Sequence, residues 1–121
     1  MIYLKKFNYK ITNSTNLMAH KKIKLGVKSG IITSENQTKG KGQYGRKWIS
    51  LKGNIFMSIF INLREKISLE EITKFNCDLI RLSLSKFINK KITIKEPNDL
   101  IINNKKICGI LQEIVKFKNK T

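Results

Sequence analysis

Three of the seven glycines in this 121-residue chain fall within twelve positions, Gln37 to Trp48, together with four cations and the single tryptophan. The segment lies between two β-patterned runs. Gly30 to Glu35, with β-branched Ile31, Ile32 and Thr33, feeds directly into it. Asn54 to Asn62 follows it, with Ile55, Met57, Ile59 and Ile61 on one face and Phe56, Ser58 and Phe60 on the other. Gly40-Lys41-Gly42-Gln43-Tyr44-Gly45 fits the G-x-G-x-x-G dinucleotide pattern, but that pattern works only when a helix follows and meets the pyrophosphate with its N-terminus. Here Arg46 to Ser50 leads through Lys52-Gly53 into a strand, so the doubly wound reading fails on context. What remains is a loop able to cradle an anion. Glycines let the backbone approach it, Lys and Arg supply charge, and an indole supplies an apolar wall.

The other elements follow from local chemistry. Ile2 to Tyr9 alternates loosely as a first strand. Thr12 to Asn16 is a dense set of capping residues before Leu17-Met18-Ala19 and a basic stretch to Lys24, which predicts a loop capping a short helix. Apolar groups on both faces make Asn54 to Asn62 an expected inner strand, covered on each side. Ser68-Leu69-Glu70-Glu71 is a capping box. Leu69, Ile72, Phe75, Leu79, Leu82 and Phe87 then recur at helical spacing, predicting a helix from about Leu69 to Asn89 whose stripe is core. Ile92 to Lys95 is a short strand ending at Pro97, and Leu100 to Ile102 and Lys106 to Val115 are strands joined by an Asn103-Asn104 turn. The sum is an α+β fold with a mixed or antiparallel sheet flanked by helices.

The length fits one domain, and a hydrophobic share of 40% argues against disorder. No run approaches the roughly 20 apolar residues of a membrane span, and the N-terminus lacks the apolar stretch of a secretory signal. Cys77 and Cys108 lie far apart with no metal-type spacing, which predicts free thiols in a reducing cytoplasm. The net charge of +17 raises nucleic-acid binding as a possibility. Against it, lysine outnumbers arginine 22 to 3 and is spread along the whole chain, whereas phosphate recognition favours arginine forks. No DNA or membrane partner is expected.

Three further segments accompany the glycine loop. Lys95-Glu96-Pro97-Asn98-Asp99-Leu100 sets a cation, an amide and a carboxylate between two strands, although Pro, Asn and Asp also make an ordinary turn. Lys106 to Glu113 is a strand with Gly109 inside it, the sign of a bulge or a close backbone approach to a ligand. Ser14-Thr15-Asn16 is at least a helix cap. Together and in this order, the four resemble the catalytic domain of biotin–protein ligases of the non-repressor type. That family carries Ser-Thr-Asn, Gln-Thr-x-Gly-Arg-Gly-Arg-x-Gly-Arg-x-Trp, Lys-Trp-Pro-Asn-Asp-Leu and Lys-x-x-Gly-Ile-Leu-x-Glu. The resemblance runs from about Asn13 to Glu113.

The resemblance implies a two-step reaction. Biotin carboxylate attacks the α-phosphate of ATP, with Mg²⁺, giving biotinyl-5′-adenylate and pyrophosphate. A lysine amine of a biotin carrier protein domain, part of a biotin-dependent carboxylase, then attacks the anhydride and AMP leaves. Biotin contacts are expected from Ser14, Thr15, Asn16, Gln37, Lys41, Gly42, Gln43, Trp48 and Lys95. The neutral groups of Ser14, Thr15 and Gln37 suit the ureido ring. Trp48 is the expected apolar wall. The amides of Gly40 to Gly42 and the Lys41 ammonium are expected on the acyl-phosphate, and Lys95 is expected to bridge the carboxylate and the α-phosphate. Gly40, Arg46, Asn98 and Lys106 fall on the nucleotide side, and Asp99 is the candidate for Mg²⁺. The catalytic pair is Lys95 and Lys41.

Three departures stand out. Gln43 replaces a loop arginine, Glu96 replaces the tryptophan before Pro-Asn-Asp, and Thr121 ends the sequence before the family's Gly-Ile-Gly-x-Asn strand and C-terminal β-domain. A partial catalytic domain is therefore expected. The alternatives are an inactive biotin- or adenylate-binding remnant and a lipoate-type ligase of the same fold, although the arginine-glycine motif ending in Val-x-His expected of the latter is not seen.

Overall fold

The computed structural model describes residues 4–63 and 66–116, with the side chain of Gln43 outside that description. Backbone contacts divide the chain into two compact units, Met1–Arg64 with Val115–Thr121, and Glu65–Ile114.

In the first unit, β1 (Lys5–Thr12) runs into α1 (Thr15–Lys24), which returns the chain to β2 (Gly30–Gln37) parallel to β1. The expected first strand lies about three residues too early, and Ile2 and Tyr3 fall outside the described residues. Ser14 caps α1, its Oγ accepting the Leu17 amide at 3.2 Å. Lys21, Lys22 and Lys24 occupy the last turn, where cations oppose the helix dipole, and Gly26 at φ 91° carries the chain out. A short hairpin, β3 (Gly40–Lys41) with β4 (Lys47–Trp48), precedes β5 (Phe56–Phe60), which pairs antiparallel with β2. The sheet is thus mixed, in the order β1-β2-β5.

One face of this sheet packs on α1 around Ala19, Ile32 and Phe60, with Phe7, Tyr9, Met18, Ile23 and Val27 at the margin. Full burial of Ile32 contributes roughly 1.5–3 kcal/mol. Gly30 makes room for Phe60, whose Cζ would lie 2.7 Å from a Cβ there. The expectation that β5 is covered on both faces does not hold. It stands at the edge of the described sheet, and Ile55, Met57, Ile59 and Ile61 are exposed. Alternation reports which residues share a face, not whether anything packs on it.

In the second unit, α2 (Leu69–Ser85) begins at the Ser68 cap, whose Oγ accepts the Glu71 amide at 3.1 Å. It ends four residues before the expected Asn89. Its apolar stripe is not core, since Phe75, Leu79, Leu82 and Phe87 are all exposed and Cys77 is the buried residue of the helix. Strands β6 (Thr93–Lys95), β7 (Asp99–Ile102) and β8 (Lys105–Gly109) form an antiparallel sheet around buried Ile92 and Leu100. Asn103 and Asn104, at φ 49° and 64°, make the β7–β8 turn in the left-handed conformation that Asn tolerates. The last strand stops at Gly109 rather than Val115. Its register shift falls between Leu100 and Ile101, so Ile107 is the extra residue of the bulge.

Candidate functional site

Motif residues of the first unit gather where β1, α1, β2 and the β3–β4 hairpin meet. Two backbone bonds fasten the start of the glycine loop to the end of β1: Thr38 N–H donates to Thr12 O at 2.9 Å, and Lys39 N–H to Asn13 O at 2.7 Å. The Thr15 amide, at the first turn of α1, donates to Gln37 Oε1 at 2.8 Å, and the Thr15 hydroxyl reaches the same oxygen at 3.2 Å. Gln37 Nε2 points toward Ser50 Oγ at 3.4 Å. Ser14 and Thr15 are almost fully buried. Ser58 adds a hydroxyl from β5, donating to Thr15 Oγ1 at 2.7 Å and also facing Asn16 Oδ1. The Thr12 hydroxyl, one strand position from this cluster, is buried with no hydrogen-bond partner among the described residues.

The hairpin fits over this cluster only because residues 40 and 42 lack side chains. A Cβ on Gly40 would come 2.8 Å from Trp48 O and 3.1 Å from Gln37 Nε2, and one on Gly42 would come 2.8 Å from Trp48 Cδ1. Between the two short strands the chain turns through Gln43–Gly45, with Tyr44 held at φ 55° and 95% exposed. A non-glycine residue there costs on the order of 1–2 kcal/mol. Lys41, Arg46 and Lys47 are exposed around the turn. The Gly42 N–H donates to Arg46 O at 2.7 Å and closes the loop on itself.

The Pro-Asn-Asp-Leu and Lys-x-x-Gly-Ile-Leu motifs come together in the second unit. Asp99 stands opposite Gly109 in the β7–β8 register. Asn98 is bonded twice to Ile110, by Nδ2–H to its carbonyl at 2.7 Å and by its own carbonyl to the Ile110 amide at 3.0 Å. One of its two amide hydrogens is thus committed to structure. Lys106 Nζ lies 3.1 Å from Asp99 Oδ1. Lys95 ends β6, exposed, beside the cis Glu96–Pro97 bond. The Asp99 carboxylate pairs with Lys106, and among the described residues no group of three His, Cys, Asp or Glu converges.

Both cysteines are free thiols. Burial pushes the Cys77 thiol above its ordinary range, with Cys108, Asp78 and Asp99 adding repulsion against a thiolate. Cys108 is also raised, by burial first, while Lys106 pulls it down and Asp99 opposes that pull. The folded chain therefore holds these protons more tightly than the unfolded chain, and stability declines as pH rises above about 8.5. Iodoacetamide at pH 8 is expected to label Cys77 at least about tenfold more slowly than Cys108, with the difference erased in denaturant. Equal native rates, read by peptide mass spectrometry, would contradict this burial.

Three residues of the first cluster were not anticipated from sequence: Thr12, Ser50 and Ser58. Ser58 carried a signal, a single hydroxyl on the buried Phe56-Ser58-Phe60 face, where a polar group requires a partner. A cleft of about 600 Å³ in this unit, lined by Asn8, Lys10, Thr33, Glu35, Asn54 and Phe56 among others, includes none of the motif residues. The motif cluster is a buried polar layer roofed by the hairpin, and the chemistry of its groups marks it better than an open volume does.

Known proteins match this arrangement. The bifunctional ligase/repressor BirA of Bacillus subtilis is 31% identical over 109 residues, 86% of this chain and 33% of the relative. The biotin protein ligase of Aquifex aeolicus, solved in complex with biotin and ATP, superposes with a TM-score of 0.82 at 26% identity, covering 94% of this chain and 48% of that one. The biotin acetyl coenzyme A carboxylase synthetase of Helicobacter pylori shares the fold, with a TM-score of 0.81 at 24% identity over 94% of this chain and 56% of that one. The chain thus spans a third of the curated relative and about half of the solved structures. Residues 8–121 match the biotin/lipoate A/B protein ligase family. With the motif residues, the mixed fold and this match in agreement, the chain belongs to that family.

Proposed function

We propose that this chain carries the ligand-binding part of a cytoplasmic biotin–protein ligase, which activates biotin with ATP and passes it to a lysine of a biotin carrier protein. The observation that carries the reading is the polar layer in which buried Ser14 and Thr15 meet half-buried Gln37, beneath the Gly40-Lys41-Gly42 hairpin. Neutral hydrogen-bonding groups in a desolvated layer match a neutral ureido ring and would penalise an apolar acyl chain, which leaves them unpaired. Cations lie next to this layer on Lys41, Arg46 and Lys47, where the carboxylate and α-phosphate require compensation.

In the first step a biotin carboxylate oxygen bonds to the α-phosphorus and pyrophosphate leaves. In the second the carrier lysine nitrogen bonds to the acyl carbon, AMP leaves and the amine loses a proton. ATP does the activating, so no side chain acts as a covalent nucleophile. Gln37 and Thr15 orient the ring, Trp48 walls it, and Lys41 compensates negative charge on the reacting anions. The assignments of Lys95, Asn98 and Lys106 rest on motif correspondence. A metal, if required, arrives with the nucleotide phosphates.

Exchange of labelled pyrophosphate into ATP tests this reading on the chain as it stands. Biotin is expected to drive exchange and lipoate is not. Lipoate-driven exchange would move the chain to the lipoate branch, and no exchange with either acid would remove ligase activity from this chain.

A further inference from the structure

We propose that the exposed cations and the tip of the glycine-loop hairpin, from Lys39 to Lys52, dock an acidic protein surface that presents the acceptor lysine. The choice of partner rests on the ligase reading and adds to it the charge by which the acceptor is chosen.

Lysine is spread along the chain, but the acids are not. Met1–Arg64, the main part of the first unit, carries 13 Lys and Arg against one carboxylate, Glu35. Glu65–Ile114, the second unit, carries nine against seven. A general bias toward lysine does not empty one unit of carboxylates. The one-signed field therefore belongs to the unit that holds the glycine loop.

Within that unit the hairpin concentrates the charge. Lys39, Lys41, Arg46, Lys47 and Lys52 are all exposed. Lys41 stands directly opposite Lys47 in the β3–β4 register, and like charges so placed weaken a strand pair. Nothing in the folding of a two-residue ribbon calls for that arrangement, whereas an anionic partner relieves it. At the tip, Tyr44 is 95% exposed at φ 55°, a conformation that a tyrosine holds only at a cost. Tyr44 and Arg46, two positions apart on this exposed turn, are the residue types that concentrate at the centres of protein interfaces.

The acceptor brings a positive charge of its own, because its lysine ammonium must enter a field of the same sign. Carboxylates flanking that lysine convert repulsion into attraction and speed the encounter. Ammonium groups are suited to such long-range steering. Phosphate recognition on a duplex favours arginine forks, and Met1–Arg64 has two arginines.

The test is surface plasmon resonance, with the full chain passed over a biotin carrier domain that has carboxylates around its acceptor lysine. The same domain with those carboxylates changed to amides is the comparison. The acidic form is expected to associate at least about tenfold faster at about 50 mM salt, with the advantage lost by about 500 mM. Lys39→Glu combined with Lys52→Glu is expected to slow association about tenfold and leave dissociation within about twofold. Tyr44→Asn keeps a residue that tolerates positive φ, and dissociation is expected to quicken about tenfold. Both variants should exchange pyrophosphate as the unchanged chain does. The comparison of the two carrier forms needs no variant, so it decides the matter even if a variant fails to fold. Equal association of the acidic and amide forms, or no binding of either, would overturn the docking surface while biotin-driven exchange kept the ligase reading. Tighter binding to a duplex of about 20 base pairs than to the acidic domain at about 150 mM salt would assign the charge to nucleic acid instead. Selective binding of the acidic form by a chain without exchange would keep the surface and remove the ligase reading.

Discussion

Lys95→Ala is expected to lower biotin-dependent pyrophosphate exchange by at least about a hundredfold, the scale seen when a preorganised charge or donor is removed from the transition state. A carboxylate and a polyphosphate must meet, and in a partly desolvated site that encounter is unfavourable by several kcal/mol unless a cation bridges them. Lys95 is suited to this because its charge is not spent. In the register of β6 and β7 it stands opposite Asp99, yet the Asp99 carboxylate is paired with Lys106 at 3.1 Å. Among the described residues Lys95 has no carboxylate partner. Its side chain is exposed, so truncation should leave the thermal midpoint almost unchanged, and the loss would be chemical rather than structural. Lys95→Arg keeps the charge but replaces a compact ammonium with a planar fork, and partial activity is expected. Exchange by Lys95→Ala within about threefold of the unchanged chain would remove Lys95 from the reaction.

The residues that could be read from sequence share a physical property: their conformations are decided by neighbours a few positions away. Ser14 and Ser68 cap helices by accepting an amide three residues on, and Asn103-Asn104 turns because Asn tolerates positive φ. The glycine loop was legible for the same reason, and its failure as a dinucleotide site followed from the strand after it. Burial was another matter. The stripe of α2 and the outer face of β5 have the right periodicity, yet Phe75, Leu79, Met57 and Ile59 are exposed, because a period specifies a face and not its partner. Pairings between distant residues were equally hidden. Nothing in the local sequence says that Asp99 is neutralised by Lys106, that Asn98 is tied to Ile110, or that Gly42 spends its amide on Arg46. Ser58 lies between these cases, since its burial could be inferred but its partners, more than forty positions away, could not.

Gly42→Ala is expected to cost about tenfold to a hundredfold in biotin affinity, and the reason is space rather than backbone freedom. The added methyl would stand 2.8 Å from Trp48 Cδ1 and closer still to the indole nitrogen. Either the ring moves or the hairpin opens, and overpacking of this kind typically costs about 1–3 kcal/mol. Both responses displace the wall that Trp48 contributes, and because it is the only tryptophan, its emission reports the displacement directly. Gly45→Ala separates this from a general disturbance of the loop. At φ +73° that change costs about 1 kcal/mol in backbone conformation, but a Cβ there meets nothing within 4 Å. Its emission should match that of the unchanged chain, while Gly42→Ala should shift. Gly40→Ala should be the harsher neighbour, because its Cβ meets the Trp48 carbonyl at 2.8 Å and Gln37 Nε2 at 3.1 Å, coupling the hairpin to the amide that faces the ligand. If Gly42→Ala bound biotin normally with a shifted indole, Trp48 would not be part of the binding wall, and the case for the site would rest on the Thr15–Gln37 layer alone.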